Sequence, residues 1–166
     1  MSTCEFCLIV DNKVEAEDLY EDDICRAVLH LKPVAAGQIL IFPKNHYSIL
    51  EQVPDEIVKH LFVVANKLGT ALFDSLNIQG TNMLVQNGVA AGQSVAHFSI
   101  NIVPRSEEDG LGLEWQPKQA SPQELDAAHK AIKDTLEGGT APEEKKPVTS
   151  KPGEINYLIE RLKRIP

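Results

Sequence analysis

No stretch of the 166 residues approaches the roughly 20 consecutive apolar positions that a membrane-spanning helix needs. No basic-then-apolar leader opens the chain, so a cytoplasmic setting without membrane contact is expected. Positive charge is also scarce: 16 Lys and Arg stand against 24 Asp and Glu, a formal net charge of −8. That balance excludes a broad electrostatic attraction to nucleic acid or anionic lipid. The three cysteines are too few for a disulfide scaffold. Cys4 and Cys7, separated by Glu5-Phe6, instead pose a question of metal or redox chemistry.

What is present suits one core with an appendage, with 43% of residues in the hydrophobic class. Leu19-Tyr20-Glu21 and Cys25 to Leu31 read as strands parted by the turn-like Asp22-Asp23 pair. Gly37 leads into a third, Gln38 to Phe42, stopped by Pro43. Ile57, Leu61, Val64 and Leu68 recur at helical spacing between Pro54 and about Phe73. Met83-Leu84-Val85 and the 93–105 segment flank an Asn87-Gly88 turn. The sum is an α+β fold: an antiparallel sheet with a long covering helix, plus a C-terminal helical extension. Its open edges suit pairing with a second copy, hence a homodimer.

Residues 1–115 form the expected main domain, and 116–137 a connector and helix. Trp115 is the large anchor of the polar stretch 106–120, and Ser121-Pro122-Gln123-Glu124 is a helix start. Residues 138–153 read as a flexible linker. Ile155, Leu158, Ile159, Leu162 and Ile165 give 154–166 an apolar stripe, marginal alone and therefore expected to dock. Arg161, Lys163 and Arg164 on it read as a solvated face, with an acidic partner surface as the alternative.

The segment Gly92 to Arg105 is the most informative. Phe98, Ile100 and Ile102 alternate with His97, Ser99 and Asn101, the period of a half-buried strand. Three polar groups on one face after a glycine loop read as a site. Cys4, Cys7, His46 and His97 offer four ligands of the kind a tetrahedral zinc site takes. Inert cysteines and a redox pair are the alternatives. The apolar Leu8-Ile9-Val10 continuation favours a structural knuckle over a redox pair.

These residues carry a resemblance. Cys4-Glu5-Phe6-Cys7, Lys32-Pro33 with Gly37, Leu40 to His46, Gly92 to His97 and Pro104-Arg105 resemble, in order, the histidine triad (HIT) family of nucleotide hydrolases and transferases. The likeness is to the branch bearing an N-terminal zinc knuckle. It implies a homodimer with a purine mononucleotide pocket and a structural Zn2+ on Cys4, Cys7, His46 and His97. The family's three alternating histidines are here His97, Ser99 and Asn101. Ser99 stands at the position of the nucleophile that attacks the α-phosphorus, and Asn101 at the third triad position. Gln38 and His30 also depart from the pattern, whereas Gln86, Gln93 and Ser94 match pocket positions of the family or of some of its branches.

A serine hydroxyl lacks the nucleophilicity of neutral imidazole unless a base adjoins it, and an asparagine amide is no base. No catalytic residue is therefore assigned. The expectation is a pseudoenzyme that binds a purine nucleotide without turnover, through His30, Gln86, Gln93, Ser94, Ser99 and Asn101. The alternatives are a dimeric scaffold that meets a protein partner through the 154–165 helix, and a phosphoramidate or adenylate hydrolase of altered chemistry.

Overall fold

The structure, a computed structural model, describes residues 4–113 and 115–138. The linker beyond Gly138 and the docking helix 154–166 lie outside the described residues. The chain runs α1 (Glu5–Val10), β1 (Asp18–Glu21), β2 (Cys25–Leu29), β3 (Ile39–Pro43), α2 (Asp55–Leu76), β4 (Gly80–Leu84), β5 (Ile100–Arg105) and α3 (Pro122–Gly138). The five strands form one antiparallel sheet in the order β1-β2-β3-β5-β4.

Strand alternation gives the sheet two apolar faces. Cys25, Ala27, Ile39, Ile41, Ile100 and Ile102 meet Leu61, Val64, Ala65 and Leu72 of α2. On the opposite face Val28, Leu40 and Phe42 meet Phe6 and Ile9 of α1. Phe6 stacks on Phe42 with ring centroids 4.7 Å apart. Such a short helix is not stable alone; burial of Phe6 and Ile9 holds it, and so does Arg26. That buried guanidinium donates to Ile9 O at 2.5 Å, to Asn12 Oδ1 at 2.9 Å, and with two nitrogens to the Asp18 carboxylate.

Several boundaries depart from the sequence reading. β2 ends at Leu29, β4 starts at Gly80, and α2 runs on to Leu76, where Asn77 closes it in the left-handed conformation. The larger change is at β5, which begins at Ile100 rather than near Gln93. A tight turn, His97 N–H to Val95 O at 2.7 Å, takes the preceding residues off the ladder. His97 consequently leaves the row that Ser99 and Asn101 keep. Trp115 is 83% exposed, so it is no anchor in this protomer: the described chain offers its ring no covering surface. Ser121 and Glu124 do form the reciprocal cap of α3, with the Ser121 N–H donating to Glu124 Oε2 at 2.7 Å.

Candidate functional site: a cysteine-histidine knuckle beside a polar cavity

Cys4 caps α1 and Cys7 lies one turn on, so both sulfurs lie at the start of one helix. A helix start also suits a redox thiolate, so the apolar Leu8-Ile9-Val10 continuation does not distinguish a knuckle from a redox pair; the neighbouring histidines do. Cys4 Sγ lies 3.4 Å from His97 Nδ1, and Cys7 Sγ 3.3 Å from His46 Nδ1 and 3.6 Å from His97 Nδ1. All four ligand atoms fall within 4.8 Å of one another. Zn–S and Zn–N bonds of about 2.3 and 2.0 Å at tetrahedral angles put neighbouring donors about 3.5 Å apart. The cluster therefore has the dimensions of a closed four-ligand site.

Two backbone contacts bring the histidines together. Phe98 N–H donates to Tyr47 O at 2.6 Å, laying the 46–48 loop against 97–98. His97 Nε2–H donates to Pro43 O at 2.9 Å. A carbonyl can only accept, so the proton is on Nε2 and the Nδ1 lone pair faces the sulfurs, the tautomer a ligating histidine needs. Burial carries His97 down to about 4, keeping the ring neutral, and pushes the Cys4 thiol up to about 11. A bound dication reverses the second effect, since thiolate is the ligand form.

On the same face of the sheet a cavity of about 290 Å³ opens between α1, β2, β3 and the 86–101 segment. His30, Gln86, Gln93, Ser94, Ser99 and Asn101 all line it, so residues spread over 72 positions converge on one space. Phe6, Ile9, Val28, Leu40 and Val95 supply an apolar wall. The volume sits at the small end of ligand pockets, about 300–1,000 Å³.

The six polar residues are not equivalent. Gln93 accepts from Gly88 N–H and donates to Ser48 O and Val95 O, so its amide is occupied in bracing the loop. Gln86 is exposed and stands over Gly92, where a Cβ would lie 2.7 Å from Gln86 Nε2 at φ +84°. The exposed Gln86 side chain can swing aside, so it is the positive φ that favours glycine there. His30 Nδ1 accepts from Lys32 N–H at 3.0 Å, leaving Nε2 as the donor of the neutral ring. The Ser99 hydroxyl has no hydrogen-bond partner among the described residues and no bond to His30 or His97.

Sequence reasoning undervalued Gln38. Its Oε1 accepts from Val34 N–H at 2.8 Å and its Nε2 donates to Asn101 Oδ1 at 3.1 Å. The strand reading implied their common face, because Leu40, two residues on, pairs with Asn101. Asp22, Cys25 and His60 form a second group with metal-ligand atoms, 38 positions wide and without a motif. Asp22 is already engaged: Oδ1 accepts from Ile24 N–H and Cys25 N–H, Oδ2 from Tyr20, with His60 Nε2 at 2.6 Å. It reads as a turn brace.

Among known proteins, the HIT domain profile matches residues 11–108. Adenylylsulfatase HINT3 of Arabidopsis thaliana is 38% identical over 108 residues, 65% of this chain and 55% of that protein. The chain thus spans about half of that relative's length. Adenosine 5'-monophosphoramidase HNT1 of Saccharomyces cerevisiae is 31% identical over 82% of this chain and 85% of its own. The crystal structure of a Zn-bound histidine triad family protein from Mycobacterium smegmatis superposes with a TM-score of 0.64 at 30% identity, covering 81% of this chain and 97% of that one. With the domain match covering more than half the chain, this chain belongs to the HIT domain family.

Proposed function

We propose that the protein is a zinc-stabilised nucleotide binder that holds a purine mononucleotide in the 290 Å³ cavity without turning it over. The observation that carries this is the surroundings of Ser99. His97 has its lone pair toward the cysteines and its proton on Pro43 O; His30 has its lone pair on Lys32 N–H; Asn101 does not titrate. Each of these three groups is turned to another task, which leaves the Glu5 carboxylate on the cavity wall as the remaining acceptor, and an unassisted hydroxyl is a poor nucleophile. The ligand class is supported by the relatives, whose names share an adenosine 5'-phosphoryl group.

Zinc would be held by Cys4, Cys7, His46 and His97, closed and structural, its role being to tie α1 to the sheet and so complete the cavity wall at Phe6 and Ile9. Reduced cysteines of this kind suit a cytoplasmic setting. A homodimer is supported by β4 being an edge strand among the described residues and by the exposed Phe62 and Phe73 on α2 and Met83 on β4.

Titration calorimetry with AMP and GMP on zinc-loaded protein tests the binding half. Saturable heat is expected, and silence at millimolar ligand rejects it. Adenosine 5'-phosphoramidate tests the other half: no turnover and no covalent adduct are expected. Turnover abolished by Ser99→Ala would establish instead the hydrolase reading, which the relatives' enzyme names favour.

A further inference from the structure

α3 is 17 residues long and buries none of its side chains among the described residues. Leu125, Ile132 and Leu136 are 59%, 62% and 75% exposed, with Ala128 on the same face. Positions 125, 128, 132 and 136 follow one another at steps of three, four and four, the seam of a helix that packs on another helix. A helix of this length with that face in water is marginal alone, so its stability calls for a cover.

The chain's own end has the matching pattern. Residues 154–166 lie outside the described residues, but in sequence Ile155, Leu158, Leu162 and Ile165 recur at steps of three, four and three. Laid antiparallel, Leu125 comes level with Ile165, Ala128 with Leu162, Ile132 with Leu158 and Leu136 with Ile155. The short Ala128 leaves room for Leu162. The 15 intervening residues, 139–153, are long enough. Packed helices lie about 8–10 Å apart, and a coil of that length spans about 20 Å on average.

Charge sets both the direction and the occupant. The antiparallel return brings Asp126 level with Arg164 and Lys130 with Glu160, while Arg161 and Lys163 lie toward the acidic start of α3. A parallel return sets Glu124 beside Glu154 and Lys133 beside Lys163, and requires the linker to run back the length of the helix. Two copies of α3 laid antiparallel bring Glu124 and Asp126 against Asp134 and Glu137 of the second copy. Like charges oppose both alternatives. We propose that residues 154–166 fold back on their own chain as a helix antiparallel to α3, their apolar stripe covering Leu125, Ile132 and Leu136. The stripe is then spent within the chain, and the end of the protein is a helical hairpin, not an arm held out to a partner.

Amide exchange and methyl NOEs on the full chain test this, in wild type and in Leu158→Glu combined with Leu162→Glu. The amides of α3 are expected to exchange about tenfold or more faster in the variant, with those of α2 and the sheet unchanged. Wild type should show NOEs from Ile132 to Leu158 and from Leu125 to Ile165. In a mixture of labelled and unlabelled chains these should remain within one chain. Equal exchange of α3 in wild type and variant overturns the proposal, because the face is then covered by something other than this segment or by nothing. NOEs that cross between chains overturn it by giving the face to a second copy. NOEs from Leu125 to Ile155 overturn it by reversing the direction.

Discussion

Pro43 O decides the chemistry of His97, because the proton it holds on Nε2 leaves Nδ1 for the sulfurs. The cost of that arrangement is an imidazole 1% exposed that has no room for a second proton. Its folded pKa of about 4 lies below the ordinary value near 6.5. A depressed pKa stabilises the fold above the unfolded value and that stability is lost as pH falls through the folded one. Chelated protein should therefore lose roughly 3 kcal/mol between about pH 6.5 and 4. Thermal melts at half-unit steps check it, and a flat melting temperature across that window would contradict it. Asp18 and Asp22, held below the usual carboxylate range by Arg26 and by hydrogen bonds, add their losses only in more acid solution. At the same scale Cys7→Ser should lower bound zinc well below one per chain, measured by metal analysis, since one of four donors loses its thiolate.

Elements here differ in what holds them. α1 depends on tertiary contacts, and Arg26 is the polar one, caught between Ile9 O at the helix end and Asp18 on β1. Arg26→Met should cost about 2 kcal/mol, moderated because the Asp18 carboxylate is half-exposed and regains water. Denaturant melts of the zinc-free variant measure this; in the metal-loaded form the knuckle masks part of it. α3 is the opposite case. It buries none of its side chains, and Leu125, Ile132 and Leu136 remain exposed. Ser121→Ala should remove about 1 kcal/mol of local helix stability, seen as faster amide exchange over 122–130, with the global melting temperature unchanged. The cap was legible in four consecutive residues because both partners are local.

For the whole molecule, the sheet ends in two edge strands among the described residues, β1 and β4, and the α2 side chains Phe62, Phe73 and Leu76 recur 11 and 14 residues on, one helical face. Gly69 on that face lies against Met83 of β4, whose side chain is also exposed. Phe73→Glu with Met83→Lys should turn a dimer into monomers in sedimentation experiments without loss of the knuckle's zinc. A wild-type monomer at micromolar concentration would remove the dimer reading. The sequence by itself determined which residues alternate, where chains of apolar side chains stop, and which donors suit a metal. Periodicity and residue chemistry are local, and the fold class and the four candidate knuckle residues follow from them, whereas the six candidate pocket residues were read from the family resemblance. Tertiary structure alone decided where β5 begins, since a turn at Val95 overrode an unbroken alternation. It alone exposed Trp115 and linked Gln38 to Asn101, 63 residues apart. Hydrogen-bond direction is set by which atoms meet, and that meeting is a property of the folded chain.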